Sequence, residues 1–286
     1  MLVTLKDVLE IAEKRTCAIG GFNGPNLASI LGVLSAAEEL NAPVILMHAQ
    51  SHESYMPLEV VGPILLREAE RSSVPVCVHL DHGVDIPYLE KALNLGFTSV
   101  MYDGSTLPFE ENIANTQKVI RLAAAKGASV EAEIGVMHGA EGSVNHDEDP
   151  ASVYTDPESA KEFVERTGID ALACSFGTVH GIYLKEPKLD FDRVAKIRKL
   201  TGKPIVMHGG SGVSHDDYRK VIARGVRKIN YYTYMARAGA DNVKKHLAEA
   251  KGTVLFEHIE SWAMEAIHDD VKKTISVFWE SQTPVV

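Results

Sequence analysis

Cysteine is scarce in this sequence: its 286 residues include three, Cys17, Cys77 and Cys174. They are far apart, each lies within an apolar run, and none belongs to a Cys-x-x-Cys pair. Disulfide frameworks and thiolate metal sites need several cysteines at short or regular spacing. We therefore expect three reduced core residues in a cytoplasmic protein.

Basic residues are outnumbered and dispersed. The chain has 29 Lys and Arg against 39 Asp and Glu, which gives a formal net charge of -10, and it has no long basic run. Proteins that bind nucleic acids neutralise phosphates with clustered Lys and Arg. We expect no nucleic-acid partner.

Long hydrophobic runs are missing as well. No apolar stretch approaches the ~20 residues that a membrane-spanning helix needs. The N-terminal sequence MLVTLKDVLEIAEK mixes charged and apolar residues at helical spacing, whereas a signal peptide has a continuous apolar core. We expect an N-terminal helix and no contact with a membrane.

The sequence is instead rich in short apolar runs that alternate with longer segments of helical periodicity. The runs predict eight strands, at residues 17–22, 43–48, 75–80, 99–102, 129–134, 171–176, 204–208 and 226–230. The segments between them predict helices at residues 26–39, 58–71, 86–95, 108–126, 157–167, 190–200 and 214–224.

This alternation predicts right-handed βαβ units and a parallel sheet. Eight repeats without a break favour a closed (β/α)8 TIM barrel, and a doubly wound open sheet is the alternative. Such a barrel takes ~250 residues, which leaves an N-terminal helix and a C-terminal helical tail. The amphipathic segment 257–279 of that tail is a candidate subunit interface. No segment resembles a linker, so we expect a single catalytic domain over residues 1–286.

Polar residues stand where the predicted strands end, and barrel enzymes carry their catalytic residues at the carboxyl ends of the strands. In chain order these residues are Asn23, His48, Asp81, His82, Asp103, Glu131, Glu133, His180, His208 and Asn230. His82, His180 and His208 follow the third, sixth and seventh runs, which converge on the axis of a closed barrel. Three neutral imidazoles with an open fourth position are typical of a catalytic zinc site.

Acidic residues near these histidines extend the predicted site. Asp81 precedes His82 and is a candidate acid-base partner for the metal. Asp103 and Glu133 are candidate ligands of a second ion, although Asp103 in MYDGS is equally well explained as a turn or helix-capping residue.

Glycine clusters follow the sixth and seventh runs. Gly181, Gly209, Gly210 and Gly212 leave backbone N–H groups accessible to an anion, and the helix after Ser214 adds its dipole. In TIM barrels, phosphate groups are frequently bound by the loops after strands seven and eight. The glycines therefore predict an anion site next to the histidines.

One long segment, residues 136–156, lacks periodicity. It is rich in Gly, Asn, His and Asp. Long loops inside compact domains are usually functional, so we interpret this segment as an active-site loop.

Seven segments carry a family resemblance. They are FN at 22–23, HLDHG at 79–83, VMYDGSTLPFEENIANT at 100–116, VEAEIG at 130–135, YTDPESAKEFVERTGIDALACSFGTVHGIY at 154–183, HGGSG at 208–212 and KIN at 228–230. This collinear series resembles the class II, zinc-dependent ketose-phosphate aldolases, a family that includes fructose-bisphosphate and tagatose-bisphosphate aldolases. It is specific for the family but not for one substrate.

The resemblance implies a metal cofactor and the residues that hold it. His82, His180 and His208 match the ligands of one catalytic Zn2+. Asp103 and Glu133 match positions that bind a second or alternative metal, and a monovalent ion is a further possibility for this second site. Members of the family form dimers and tetramers, so the resemblance also implies a homodimer or a homotetramer.

The resemblance also implies catalytic and substrate-binding residues. Asp81 exchanges a proton with the oxygen of the aldehyde half, and Glu141 takes a proton from the dihydroxyacetone phosphate carbon. The positions that match substrate-binding residues are Asn23, Gly181, Gly209, Gly210, Ser211, Asn230, Tyr231, Tyr232 and Thr233. The implied reaction is reversible retro-aldol cleavage of a phosphorylated ketose, or of a ketose-like sugar acid, to dihydroxyacetone phosphate and an aldehyde through a zinc-stabilised enediolate.

The lysines do not support a covalent mechanism. A Schiff-base aldolase needs a desolvated lysine inside the barrel. The sixth run has none, and Lys203 and Lys228 lie before or early in their strands. Metal chemistry is favoured.

The chain departs from the family pattern at several positions. NYYTY at 230–234 replaces a segment in which the family usually has an acid, Gly142 follows Glu141 where an Asp is common, and Ala49 stands where Ser or Thr is frequent. Arg237 is displaced by one position from the arginine that holds a second phosphate in bisphosphate enzymes. We therefore expect a ketose monophosphate or a sugar-acid phosphate in preference to fructose bisphosphate.

Two other functions fit the same residues. A zinc-dependent sugar-phosphate isomerase or epimerase uses the same barrel, metal and acids without breaking a carbon–carbon bond. A catalytically silent barrel binds a sugar phosphate without turnover.

Overall fold

Strands and helices alternate along the described residues, which are 1–135, 154–280 and 282 of the computed structural model. The strands are β1 (Leu2–Val3), β2 (Ile19–Asn23), β3 (Val44–Ala49), β4 (Val76–Gly83), β5 (Ser99–Tyr102), β6 (Ser129–Ile134), β7 (Ala171–Cys174), β8 (Ile205–Met207) and β9 (Val226–Asn230). The helices are α1 (Leu5–Arg15), α2 (Leu27–Glu39), α3 (Leu58–Arg71), α4 (Ile86–Leu95), α5 (Phe109–Ala124), α6 (Pro157–Thr167), α7 (Phe191–Thr201), α8 (His215–Ala223), α9 (Thr233–Glu249) and α10 (Phe256–Trp279).

Strands β2 to β9 close into a parallel barrel. Each strand pairs with its neighbours in sequence, and β2 also pairs with β9, with Ile19 in register with Lys228. The short β1 pairs with the beginning of β4 and lies outside the ring. Because the ring is closed, the predicted (β/α)8 barrel is confirmed and the open doubly wound sheet is excluded.

The predicted elements are confirmed with small differences at their ends. β5, β6 and β9 have the predicted bounds, whereas β4 continues to Gly83 and so includes Asp81 and His82. The sequence pattern missed β1 and α9. β1 is too short to show a periodic signal, and the helical region after the eighth strand was predicted only as an undivided tail.

Two apolar clusters hold the barrel together. The inner cluster contains Ile45, Cys77 and Met101, and residues of α1 such as Leu5 and Val8 join it at the N-terminal ends of the strands. The larger outer cluster lies between the sheet and the helices. Successive strand residues alternate between the two faces, which decides which polar side chains enter the barrel.

The C-terminal helix α10 is part of the core. Its Ile267, Val271 and Phe278 are buried, and it packs against α2 and α9. The methyl groups of Ile267 fill space next to Gly32, where an added Cβ would lie 2.9 Å from Ile267 Cγ2. The amphipathic pattern of segment 257–279 is thus explained within one chain, and the pattern by itself does not require a subunit interface.

The described residues test three predictions only in part or not at all. Residues 136–153, most of the predicted active-site loop, lie outside them. Among the helices of the described ranges, none has the length and apolar composition needed to cross a bilayer. The single domain over residues 1–286 stays a prediction.

Replacing Ile267 with Ala should lower the free energy of unfolding by ~2–5 kcal/mol, because the truncation leaves a cavity between α10, α2 and α9. Val60→Ala is the matched control: Val60 is 51% exposed on α3, and its truncation should change stability by less than ~0.5 kcal/mol. Urea denaturation of both variants measures the difference. Equal effects would contradict the packing of α10 described above.

Candidate metal centre

The site lies at the carboxyl ends of the barrel strands and is built by strand alternation. Cys77 of β4 belongs to the inner cluster, so Asp81, four residues further along, also faces inward. The same alternation turns Glu131 and Glu133 of β6 into the barrel, where both are buried. His48, by contrast, bonds the Tyr88 hydroxyl (3.1 Å) and is not part of the histidine cluster.

The three predicted metal ligands meet at one point. His82 Nε2 lies 3.2 Å from His180 Nε2 and 2.7 Å from His208 Nδ1. Ring nitrogens bound to one tetrahedral zinc at ~2.0–2.1 Å lie ~3.3–3.4 Å apart. The separation of His82 and His180 is close to this value and that of His82 and His208 is shorter. Three imidazole nitrogens are a donor set that catalytic zinc takes, so the residues fit the cofactor that the resemblance implies.

Two carboxylates fix which ring nitrogens point at this cluster. Asp103 Oδ2 lies 2.8 Å from His82 Nδ1, and Glu131 Oε1 lies 2.9 Å from His208 Nε2. An ionised carboxylate only accepts hydrogen bonds, so these two nitrogens carry the protons. His82 Nε2 and His208 Nδ1 therefore face the cluster and are the nitrogens that would offer their lone pairs to a metal.

Without a metal the cluster holds a proton. Burial lowers the pKa of His82, but the carboxylates of Asp81 and Asp103 outweigh it and raise the pKa to about 10. Burial and the neighbouring His82 charge lower the pKa of His180 and of His208. At neutral pH one imidazolium thus occupies the position that a divalent cation would take.

A second group of donors adjoins the first. Ligand atoms of His82, Asp103 and Glu133 lie within 4.8 Å of one another. Glu133 Oε2 is buried and has no hydrogen-bond partner among the described residues, and burial together with the Asp103 carboxylate raises the pKa of Glu133 well above its usual value. A buried carboxylate with a raised pKa and an unbonded oxygen fits a second or alternative cation position.

Asp103 also serves as a turn residue, since its Oδ1 accepts from the Ser105 N–H and hydroxyl.

Asp81 is held ionised beside the cluster. Its carboxylate accepts from Asn23 Nδ2 at 3.2 Å and from Asn230 Nδ2 at 3.0 Å. Burial raises the pKa of Asp81, but the charges of His82 and Lys228 outweigh it and lower the pKa below its ordinary range. The two asparagines predicted to bind substrate therefore also orient the predicted acid-base residue.

His82 itself has a strained backbone. Its φ is 47°, in the left-handed region, and the register between β4 and β5 shifts between Leu80 and Gly83. Such a conformation costs a non-glycine residue ~1–2 kcal/mol. The irregularity lets Asp81 and His82 direct adjacent side chains at the same site, which a regular strand would send to opposite faces.

The remaining predicted substrate-binding residues gather at a small cavity next to His180. Apart from Asn23, all of them line it: Gly181, Gly209, Gly210, Ser211, Asn230, Tyr231, Tyr232 and Thr233. A Cβ at Gly209 would lie 2.3 Å from the Val179 carbonyl oxygen, and one at Gly210 would lie 2.6 Å from that of Asn230. Only glycine permits this close packing of the loops. Helix α9 begins at Thr233, so Tyr232 and Thr233 bring its N-terminal end to the same cavity.

Tyr231 lines the cavity, but its polar atoms are used elsewhere. Its hydroxyl donates to Asp270 Oδ2 on α10, and its N–H donates to the Gly21 carbonyl. Tyr231 therefore fixes the α10 helix and the barrel to each other. Tyr232 differs, since its N–H donates to Ser211 Oγ at the cavity wall.

A larger cavity of about 820 Å3 adjoins the first, and Tyr232 and Thr233 line both. The other lining residues are Pro25, Asn26, Ser51, His52, Tyr55, Met56, Ile182, Ala236 and Arg237. Within the described part of this lining, Arg237 is the one side chain with a permanent charge, and it pairs with Asp241 at 3.3 Å.

Of the positions that depart from the family pattern, some lie within the described residues and some lie outside them. Ala49 ends β3 in register with Asp81 and is fully buried, so this position offers no hydroxyl to the carboxylate. The predicted proton-transfer residue Glu141 and its neighbour Gly142 lie outside the described residues.

Sequence reasoning missed a buried lysine and a bridging tyrosine. Lys228 is fully buried in β9 and bonds Glu131 Oε2 at 2.8 Å, so a lysine does lie inside the barrel, although it is paired with a carboxylate. The Tyr183 hydroxyl accepts from the Val179 N–H and donates to the Gly209 carbonyl, which ties the His180 loop to the glycine cluster. Both residues stand in the quoted motifs, but no spacing rule distinguishes them from core residues.

Comparisons of sequence and of structure with known proteins all find similarity to aldolases. Residues 3–283 match the family model described as fructose-bisphosphate aldolase class-II. The chain is 40% identical over 273 residues to the sulfofructosephosphate aldolase of Alkalicoccus urumqiensis, covering 96% of this chain and 95% of that one. It is 41% identical over 283 residues to the fructose-bisphosphate aldolase of Staphylococcus aureus (strain N315), covering 98% of each. The crystal structure of the YdjI aldolase from Escherichia coli K12 superposes with a TM-score of 0.87 at 33% identity, covering 98% of each chain.

Zinc loading of the metal-free protein at pH 7 should release ~1 proton per ion, because the metal displaces the proton on His82. The sign follows from the raised pKa: below about 10 the free site is protonated, so zinc affinity should rise with pH. Calorimetry in buffers of different ionisation enthalpy measures the release, and His180→Ala controls for zinc adsorbed elsewhere. Binding without proton release would contradict this description.

Proposed function

The chain belongs to the class II fructose-bisphosphate aldolase family and is an aldehyde-lyase, and on this premise we propose its reaction and cofactor. The proposed reaction is reversible cleavage of a phosphorylated ketose, or of a ketose-like sugar-acid phosphate, to dihydroxyacetone phosphate and an aldehyde. The proposed cofactor is one catalytic Zn2+ on His82, His180 and His208, with Asp103 and Glu133 as ligands of a second ion.

The observation that carries this proposal is the ionised Asp81 beside three converging imidazoles. Cleavage of a carbon–carbon bond next to a hydroxyl requires a base for that hydroxyl and stabilisation of the negative charge that develops on the other half. Zinc, when bound, supplies a Lewis acid for that charge. Asp81 supplies the base, because its carboxylate stays ionised while buried.

Residues of this chain orient the acid-base carboxylate and transfer the proton. In the cleavage direction Asp81 accepts the proton of the substrate hydroxyl and returns it in synthesis. Asn23 and Asn230 each donate to one of its carboxylate oxygens, which keeps the carboxylate in one orientation. Glu141 is proposed to exchange the proton at the dihydroxyacetone phosphate carbon, as the resemblance implies.

The small cavity lined by the glycines is the proposed phosphate site. Gly181, Gly209, Gly210, Ser211 and Thr233 line it, and helix α9 begins at Thr233. A helix N-terminus carries about half a positive charge and suits an anion. Asn230, Tyr231 and Tyr232 complete the proposed wall.

The larger cavity is the proposed site of the aldehyde half. A second phosphate there would meet Arg237, whose charge Asp241 already balances. We therefore propose a substrate with a single phosphate, which belongs to the dihydroxyacetone half. This substrate differs from fructose bisphosphate, the compound in the name of one of the two relatives, which has two phosphates.

The remaining sequence predictions belong to the same proposal. The enzyme is proposed to be a cytoplasmic homodimer or homotetramer with one domain per chain. Neither a nucleic acid nor a membrane is a proposed partner.

A retro-aldol assay coupled to triose phosphate detection tests the reaction and the substrate together. Ketose monophosphates and sugar-acid phosphates should give product, chelation should abolish it and Zn2+ should restore it. Isomer or epimer formation without triose phosphate would support the isomerase alternative, and binding without chelator-sensitive turnover would support the silent barrel. A more than tenfold preference for fructose bisphosphate would contradict the single-phosphate proposal.

Asp81→Asn should lower kcat by ~10²–10⁴-fold, the usual range for loss of a general acid-base group, and should leave bound zinc unchanged because Asp81 is not a ligand. Glu141→Ala should have an effect of the same order. Asp85→Asn, an exposed Asp on the segment after β4, is the control and should retain full activity. An Asp81→Asn enzyme with unchanged turnover would assign the base to another residue.

A further inference from the structure

We propose that Lys228 and Glu131 act as a positioning pair that holds His208 in the one tautomer that can bind the metal. The proposal rests on the zinc site described above. Neither Lys228 nor Glu131 is proposed to contact the substrate or the metal. Both act through His208.

The three side chains form a continuous chain of short contacts. Lys228 Nζ lies 2.8 Å from Glu131 Oε2, and Glu131 Oε1 lies 2.9 Å from His208 Nε2. All three side chains are 0% exposed. The lysine and the histidine therefore occupy different oxygens of one carboxylate, away from solvent.

The hydrogen-bond donors and acceptors of these three side chains allow only one arrangement of their protons. The ammonium of Lys228 can only donate, and the ionised Glu131 can only accept. His208 Nε2 must then donate to Glu131, and its other nitrogen, Nδ1, is left with a lone pair. That nitrogen lies 2.7 Å from His82 Nε2, inside the histidine cluster.

The lysine is needed because a buried carboxylate without a counter-charge is strongly destabilised. Lys228 keeps the acceptor character of both oxygens. The pair is thus a second layer of the metal site, of the kind that usually orients metal-bound histidines.

Another buried histidine provides the means for a specific test. His79 Nδ1 bonds Ser99 Oγ at 2.8 Å. Its Nε2 lies 3.7 Å from Glu131 Oε2 and has no hydrogen-bond partner in the part of the chain that the structure describes. An amide at position 131 would have one accepting oxygen and one donating NH2 group. The partner that takes the oxygen then decides the tautomer of His208.

Glu131→Gln should impair zinc binding through this competition. The Lys228 ammonium takes the amide oxygen, so the NH2 group faces His208 Nε2 and places the ring proton on the metal-facing nitrogen. Affinity for Zn2+ should fall ~10–100-fold, as is usual for loss of an outer-layer partner. Competition with a chromophoric chelator measures the dissociation constant directly, without reference to activity.

The double variant Glu131→Gln with Lys228→Met should recover much of that affinity. Without the ammonium, the amide oxygen is free to accept from His208 Nε2, and the NH2 group faces His79 Nε2. The d–d absorption spectrum of the Co2+-loaded double variant should also return toward that of the wild type, since it reports ligand geometry. Recovery by a second substitution is not expected if the pair merely supports the fold.

Glu13→Gln is the matched control. Glu13 pairs with Arg227 and Arg198, so its loss removes a comparable partly buried ion pair that does not contact the histidines. The melting temperature of this variant should fall while its zinc dissociation constant stays within ~2-fold of the wild type, because distant sites act independently.

The outcomes separate this proposal from the proposed function. A wild-type protein that binds no zinc would overturn the metal site itself. If the wild type binds zinc, two results would overturn the positioning role: a single variant of wild-type affinity, or a double variant no better than the single one at equal melting temperature. Weakened binding in the single variant with recovery in the double variant would support it.

Discussion

Two carboxylate–imidazole hydrogen bonds, from His82 to Asp103 and from His208 to Glu131, determine what this barrel can bind. Each turns one ring nitrogen toward the same point, where His180 adds a third. Three nitrogen lone pairs in a buried site repel one another unless a cation lies between them. The raised pKa of His82 allows a proton to meet this need, and the proposed divalent metal would take its place. The acid Asp81, the strained backbone at His82 and the buried lysine are all arranged around that requirement.

The charge distribution fits the proposed substrate. A chain of net charge -10 does not attract a phosphorylated anion as a whole. Attraction must come from local sources: the metal, the backbone N–H groups of the glycine cluster and the N-terminus of α9. The buried acids serve this purpose too, because they favour binding of the cation that faces the substrate.

Much of this structure could be predicted from sequence, for identifiable reasons. Alternation of apolar runs and helical segments defines the barrel, and His82, His180 and His208 follow from the rule that barrel chemistry lies at strand ends. The role of Glu131 could not be predicted, because it faces inward from the same strand as Glu133 and only the neighbours of the two residues differ. Lys228 pairs with one of them across the barrel, a contact between residues 97 positions apart. The bonds of Tyr231 to α10 likewise depend on tertiary packing that no local pattern encodes.

The central claim is that the three histidines form a zinc site. Diffraction from crystals of the zinc-loaded, active protein at wavelengths on either side of the zinc absorption edge tests it most directly. The account predicts one strong anomalous peak bonded to His82 Nε2, His180 Nε2 and His208 Nδ1. The absence of a peak at the three histidines would contradict it.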